Sequence, residues 1–570
     1  MMSPSSASSS SSSLAAAAAA VPLLSPRNSS SSRSDHERRF TDADDDDAES
    51  LDLEALSPGT LGSPPPPYNS QNEKSSSRHN RKQPTVILNN LTRRPRLIAL
   101  VGVILSLIAF TTFAVVHVSS PLETKADVVP SGSVDNAKST LDSVMPDTEA
   151  ESGSSPFPKE VLGAPTDSFR DNLRTDMKYI TSWINAGWTN DVMTYFNLLY
   201  LAKISGRIAV IPPFAPSHVG SEAGFVPFGD VFDVPRLARN MGIPVIEWRD
   251  VKNENSTVSD EIGCWSPWAT ASNEHSPRGN TIEPHLALDV SYTPVPDSAI
   301  LFPQYSNDPH TRFWSLASIT FPTGRAAANL PAQARFPSRQ SGQTQLPDEQ
   351  MACFDFLYYV GEVQNFEFNY EWSPAWRFAG THAHWTSRMV SLAEEALRSV
   401  FGINEEEEIP RFISIHVRHG DFRQYCNSVF GNEEEGCFAP LSAYSTRVDE
   451  IKADLWERHG IEVERVVVMS DEQDPEWWAG VTELGWNTVN HGTLQTEEKY
   501  GRWYPVLLDA VIQSMGAGFV GTDKSTMSLI AQKRVEDWNE GTTREVRWGR
   551  DDADQHRKRD LDEIAHELYF

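Results

Sequence analysis

Hydrophobic and polar positions alternate with a usable period only in the C-terminal two thirds of the chain. "WTSRMVSLAEEALRSVFGI" carries the apolar stripe of an amphipathic helix, and "RFISIHVRHGD" is an apolar strand with charge at its C-terminal end. "STRVDEIKADLWERHG" predicts a helix, "ERVVVMSDE" a strand ending in acids, and "EWWAGVTELGW" a short helix. "YPVLLDAVIQSMGAG" predicts another helix, "FVGTDKS" a strand and turn, and "STMSLIAQKRVEDW" a closing helix. Strands that are apolar throughout, each followed by a helix, predict a parallel, doubly wound sheet covered on both faces. A second region of this kind begins near Tyr179. There Val192, Met193, Phe196, Leu199 and Tyr200 fall on one helical face, and "RIAVIPPF" is a short strand stopped by Pro212 and Pro213. Between about Ser256 and Ser387 the Pro- and Trp-rich stretches "CWSPWATAS", "TRFWSLASITFP" and "EWSPAWRFAGTHAHW" have no period, and no element is predicted. Two α/β regions around an irregular middle predict two sheet domains facing a cleft.

Composition adds an N-terminal arrangement. Residues 1–96 are mostly Ser, Ala, Pro and charge, including the acidic run Asp42 to Glu54, and cannot bury enough apolar surface to fold. Leu97 to Val116 is free of charge, long enough to cross roughly 30 Å of hydrocarbon as a helix. Arg93, Arg94 and Arg96 precede it and little positive charge follows, so the N-terminus is expected in the cytoplasm. The expected organisation is a disordered tail (1–96), a transmembrane helix (97–118) and a stem (119–170). An N-terminal Rossmann-like domain with an irregular insert (171–387) and a C-terminal one (388–570) follow. The expectation is a single-pass type II membrane protein of the Golgi or endoplasmic reticulum, its folded part lumenal. A net charge of −29 excludes the basic footprint of a nucleic-acid binder.

That topology sets the reading of the four cysteines, Cys264, Cys353, Cys426 and Cys437, all beyond the span. In an oxidising lumen they allow three pairings. Cys426 and Cys437 flank a loop-like stretch, which favours that pair and leaves Cys264 with Cys353. Asn255-Ser256-Thr257 is an N-glycosylation acceptor sequence on the same side.

Ligands of open α/β sheets bind beyond the C-terminal ends of the strands, and three segments place polar residues there. Phe412, Ile413 and Ile415 lead into His416, Arg418, His419 and Asp421. "VVVMSDE" delivers Ser470, Asp471 and Glu472. In "GFVGTDKSTMS" Gly521 ends a strand, and Ser525 and Thr526 begin a helix whose free N–H groups suit an anion. Each has an alternative: an Arg418–Asp421 ion pair, acids that cap the next helix, and a plain N-cap. "GAGFVG" and "GTDKST" mimic nucleotide motifs in the wrong structural order or without the required ending. An arginine fork and a helix start in one domain suit a nucleoside diphosphate.

With these residues assembled, the chain resembles the GDP-fucose protein O-fucosyltransferases over roughly Tyr179 to Trp538. Three islands carry the resemblance. "NAGWTNDVMTYFNLLYLAKISGRIAVIPPF" matches the family's glycine–Asn loop at Asn190, and "ISIHVRHGD" its His-x-Arg strand end at His416 and Arg418. "LLDAVIQSMGAGFVGTDKSTMSLIAQKR" matches at Asp509, Gly521, Ser525 and Thr526. The resemblance implies a GT-B fold, two Rossmann-like domains with GDP-fucose between them, and inverting transfer without a cofactor or obligatory metal. It implies that Arg418 is the central catalytic residue, neutralising the departing pyrophosphate. His416, Ser525 and Thr526 would hold the donor, Asp471 or Asp509 would contact guanine or ribose, and Asn190 would lie on the acceptor side. Asp191 is the candidate general base, or else a cap for its helix. The acceptor is a Ser/Thr of a secretory-pathway protein, a peptide or a glycan. The alternatives are a membrane-anchored protein that binds nucleotide or glycan without turnover, and a GT-B transferase using another nucleotide sugar. Where the family often carries an arginine or a small polar residue after His-x-Arg, this chain has His419-Gly420-Asp421. His382 and His384 ("HAH") are read as surface or core histidines rather than metal ligands.

Overall fold

The computed structural model describes residues 156–548 except 185, 329–334, 425 and 427–436. The expected tail, the transmembrane segment 97–118 and the first part of the stem lie outside the described residues. Among the described residues no helix is long and apolar enough to cross a membrane.

Two parallel sheets carry the fold. The first runs β3-β2-β1-β7-β4-β5, built from β1 (Tyr179–Ser182), β2 (Ile208–Ile211), β3 (Val245–Glu247), β4 (Asp260–Ser266), β5 (Leu288–Pro294) and β7 (Met351–Phe354). A two-stranded ribbon, β6 (Thr311–Arg312) with β8 (Val360–Gly361), stands beside it. The second sheet runs β11-β10-β9-β12-β13. Its strands are β9 (Phe412–Val417), β10 (Arg465–Ser470), β11 (Asn487–Thr488), β12 (Gly518–Thr522) and β13 (Thr542–Val546). The α/β class with parallel sheets is thus as expected. The middle the sequence left blank supplies β4, β5 and β7, half of the first sheet.

The helices follow their predicted segments. Helix α1 (Trp188–Ser205) is stopped by Gly206, whose φ of 63° lets its N–H close on Ala202 and Lys203 carbonyls. In the second half, α2 (Ser387–Phe401), α3 (Leu441–His459), α4 (Pro475–Glu483), α5 (Tyr504–Met515) and α6 (Thr526–Asn539) appear where the apolar stripes place them. The sequence "GAGFVG" lies across the end of α5 and into β12, a helix-then-strand order that no dinucleotide loop has. Both disulfides form as favoured, Cys264–Cys353 and Cys426–Cys437.

Every residue of β9 is buried, and its parity sorts the two faces. Ile413, Ile415 and Val417 enter one cluster with Val448 and Ile451 of α3. Phe412 enters the large cluster that also holds Leu507 and Val511 of α5, Ile530 of α6 and the core of the first sheet. This shared apolar seam binds the two sheets along α6. Across it Trp376 Nε1 donates to Asp537 at 2.5 Å, Lys533 Nζ to the Tyr370 carbonyl at 3.0 Å, and Trp538 Nε1 to the Thr381 carbonyl at 3.1 Å. Arg534, 1 % exposed, lies over the Trp385 ring at 4.1 Å, and burial lowers its pKa to about 9.

Candidate active site

Strand order reverses in the second sheet between β9 and β12, where parallel sheets open a crevice beyond the strand ends. Arg418 leaves β9 at this point, and Ser525 and Thr526 follow β12 there. The two loops are bound together by one hydroxyl. Thr522 Oγ1 accepts from the Arg418 backbone N–H at 3.0 Å and donates to the His416 carbonyl at 3.1 Å. Its only proton is thereby used, so in the 2.9 Å contact with Tyr444 the buried phenol is the donor. Burial, helped by the Asp471 charge and opposed by the Thr522 contact, holds the Tyr444 phenol well above its ordinary pKa.

Ser525 is the N-cap of α6, its Oγ accepting from Ser528 N–H, which is the bland alternative read from the sequence. The cap satisfies one first-turn N–H of a 14-residue helix, whose positive dipole end lies at this terminus. Ser528 Oγ in turn accepts from Thr522 N–H at 2.9 Å and meets His416 Nδ1 at 2.8 Å. Burial lowers the His416 pKa to about 4, against the pull of the Asp471 charge, so its ring is neutral at physiological pH. Gly521 has no room for a side chain: a Cβ would lie 2.8 Å from Phe519 Cε1 and Ser528 Cβ.

Arg418 is 30 % exposed and lies between two carboxylates. Its Nη1 donates to Asp471 Oδ2 at 2.5 Å, and its Nη2 stands 2.8 Å from Asp421 Oδ1. Asp471 Oδ1 also accepts the His419 N–H at 2.8 Å. Both Asp471 oxygens therefore face the Arg418 loop. Neither partner is a buried carboxylate, since the Asp471 and Asp421 side chains are 28 % and 37 % exposed. Behind this layer Glu472 fixes the loop. It meets His419 Nδ1 at 2.6 Å and Arg423 Nη2 at 3.1 Å, and accepts from the backbone of Gln473 and Asp474. Burial pushes its pKa up, but these donors outweigh burial and bring it to about 2.

The first sheet reaches the same crevice through the start of α1. Thr189 Oγ1 and Thr526 Oγ1 are 2.7 Å apart, so the first turns of α1 and α6 touch. Asn190 is next in the chain, its Oδ1 buried and without a hydrogen-bond partner among the described residues. Asp191 is fully buried and its Oδ1 accepts from Ala186 N–H at 3.2 Å, fixing the turn before α1. The bonded N–H belongs to the residue before the N-cap Gly187, and no side chain caps the start of α1. Asp509, on α5, meets His491 Nε2 at 2.9 Å. His384, half-buried, is stacked on Trp538 at 4.4 Å. Thr522, Ser528, Tyr444 and Thr189 were not singled out from the sequence; only Thr522, inside "GTDKS" at a strand end, carried a positional signal.

The family model for GDP-fucose protein O-fucosyltransferase matches residues 179–536. Among solved structures the chain is similar to POFUT1 in its apo form, with 16 % identity and a TM-score of 0.39, over 65 % of this chain and 98 % of that one. A structure of POFUT1 in complex with GDP-fucose gives 16 % and 0.39, over 66 % and 99 %. The fucosyltransferase NodZ from Bradyrhizobium gives 14 % and 0.30, over 63 % and 93 %. No curated protein matches the chain. With a family match across well over half of its length, taking in every site residue described above, the chain belongs to the GDP-fucose protein O-fucosyltransferase family.

Proposed function

We propose that this protein transfers fucose from GDP-fucose to a hydroxyl of a secretory-pathway acceptor, a Ser/Thr of a protein in the first instance, with inversion and without an obligatory metal. The observation that carries the reading is the meeting of the Arg418 loop with the β12 end that leads into α6 at one strand-order reversal, where Thr522 Oγ1 accepts from the Arg418 backbone N–H. In the reaction the acceptor oxygen bonds to the anomeric carbon as the bond from that carbon to the diphosphate breaks. The electron pair leaves with GDP, and the hydroxyl proton is released. Charge grows on the diphosphate oxygens, where a guanidinium fork and oriented N–H groups stabilise the transition state more than the ground state. The α6 start, with Ser525 and Thr526, holds the diphosphate, and neutral His416 braces β9 against α6 through Ser528. Asn190, at the touching start of α1, faces the acceptor side.

The GT-B description divides the folded part near residue 387, donor side C-terminal. Two disulfides and an exposed Asn255 in its acceptor sequence support an oxidising, lumenal residence and hence the type II topology. The test is release or transfer of labelled fucose from GDP-fucose by the folded part, with UDP-sugars in parallel. Arg418→Ala is expected to lose about 10²-fold or more in kcat. Undiminished turnover in that variant overturns the mechanism. GDP binding with no turnover on any acceptor indicates a binding protein, and preference for a UDP-sugar another transferase.

A further inference from the structure

The two carboxylates on Arg418 differ in how they are held. Asp471 makes an aligned hydrogen bond to Nη1 and spends its other oxygen on the His419 N–H, so it is fixed to the strand ends of both β9 and β10. Gly420 is shaped for it: a Cβ there would overlap Asp471 Oδ2. Asp421 makes an ion pair at 2.8 Å, yet its Oδ1 has no aligned hydrogen bond, and its side chain is the more exposed of the two. It lies three residues along the chain from Arg418, in the turn after the strand. A charge contact without hydrogen-bond alignment is the weaker of the two and the easier to exchange.

We infer that Asp471 is a positioning residue that holds the Arg418 guanidinium in its working orientation, while Asp421 is a placeholder anion that a nucleoside diphosphate displaces from Nη2. The inference rests on the proposed donor site and adds to it a division of labour between like-charged neighbours. It follows that removing the two charges has opposite consequences. Without the Asp421 carboxylate, the diphosphate meets a guanidinium with one competitor fewer. Without the Asp471 carboxylate, the guanidinium swings onto Asp421, and the incoming anion meets a misplaced and better-satisfied arginine.

The test is calorimetric titration of GDP into the folded protein, with steady-state turnover of GDP-fucose beside it. Asp421→Asn is expected to bind GDP about two- to fivefold tighter, the size of a half-exposed ion pair. Asp471→Asn is expected to lower kcat about tenfold or more with no gain in GDP affinity. Gly420→Ala, which displaces the Asp471 carboxylate without removing it, is expected to reproduce the Asp471→Asn loss. Thermal unfolding of each variant shows whether it is folded. If GDP binds the unaltered protein and Asp421→Asn binds it equally or more weakly, or Asp471→Asn keeps its kcat, the inference is overturned while the donor site stands. If GDP does not bind the unaltered protein, both fall.

Discussion

Glu472 gives the sharpest quantitative test of how the Arg418 loop is built. The perturbation is Glu472→Gln, which keeps the shape and removes the charge that holds the His419 ring, Arg423 and two backbone N–H groups. Its carboxyl falls from an ordinary 4.5 to about 2 in the folded protein, although burial opposes the change. A shift of that size corresponds to about 3 kcal/mol, at ~1.4 kcal/mol per unit. Because the folded pKa is the lower one, this stabilisation is complete above about pH 4.5 and is lost as pH falls toward 2. The assay is urea unfolding of the parent and Glu472→Gln proteins at several pH values from 7 to 2, read as the difference between them. Titrations common to both proteins cancel in that difference. The variant is expected to be about 3 kcal/mol less stable at pH 7 and to converge on the parent near pH 2. Parallel curves, with a constant gap across the whole range, would refute the reasoning.

The disulfides are expected to contribute unequally. Cys264–Cys353 closes a loop with a sequence separation of 89 and Cys426–Cys437 one of 11. Loop-closure entropy then assigns about 4.6 kcal/mol to the first and about 3 kcal/mol to the second, so paired Cys→Ser variants should show the larger fall in chemical denaturation for the first pair. The His491–Asp509 pair adds a pH dependence of opposite sense to that of Glu472. Burial lowers the His491 pKa, but Asp509 more than offsets it, leaving the ring above its ordinary 6.5. Its stabilisation is thus complete below about pH 6.5 and is lost as pH rises through the raised value, and Asp509→Asn should abolish that slope in unfolding midpoints between pH 6 and 8.

The second sheet was legible in the sequence because each of its central strands is an apolar run sandwiched between helices with clear stripes, as in Ile413, Ile415 and Val417 against Val448 and Ile451. The first sheet was legible only at its first helix and second strand. Its later strands "DEIGCWS" and "LDVSYTP" mix apolar with charged, hydroxyl and proline positions, and "MACF" is only four residues long. Those polar residues are buried because distant parts of the chain satisfy them. Asp260 pairs with Lys252 at 2.7 Å and receives Ser168 Oγ from 92 residues away, Asp289 receives Ser338, and Ser266 reaches Asp355. No local pattern announces such partners. The site divides in the same way. Arg418, His416, Ser525 and Thr526 were visible as polar residues at strand ends. The Thr522–Tyr444 and Ser528–His416 links join residues 78 and 112 apart, so only the assembled sheet reveals them. Asp471 was visible at a strand end, but its pairing with Arg418 was not.

The central claim is that Arg418 and the start of α6 grip one diphosphate. A crystal structure with GDP bound tests it most directly. The account predicts diphosphate oxygens within hydrogen-bond distance of both the Arg418 guanidinium and the Ser525–Thr526 N–H groups or hydroxyls. A diphosphate that engages neither, or lies in another crevice with Arg418 still clamped by Asp471 and Asp421, would contradict it.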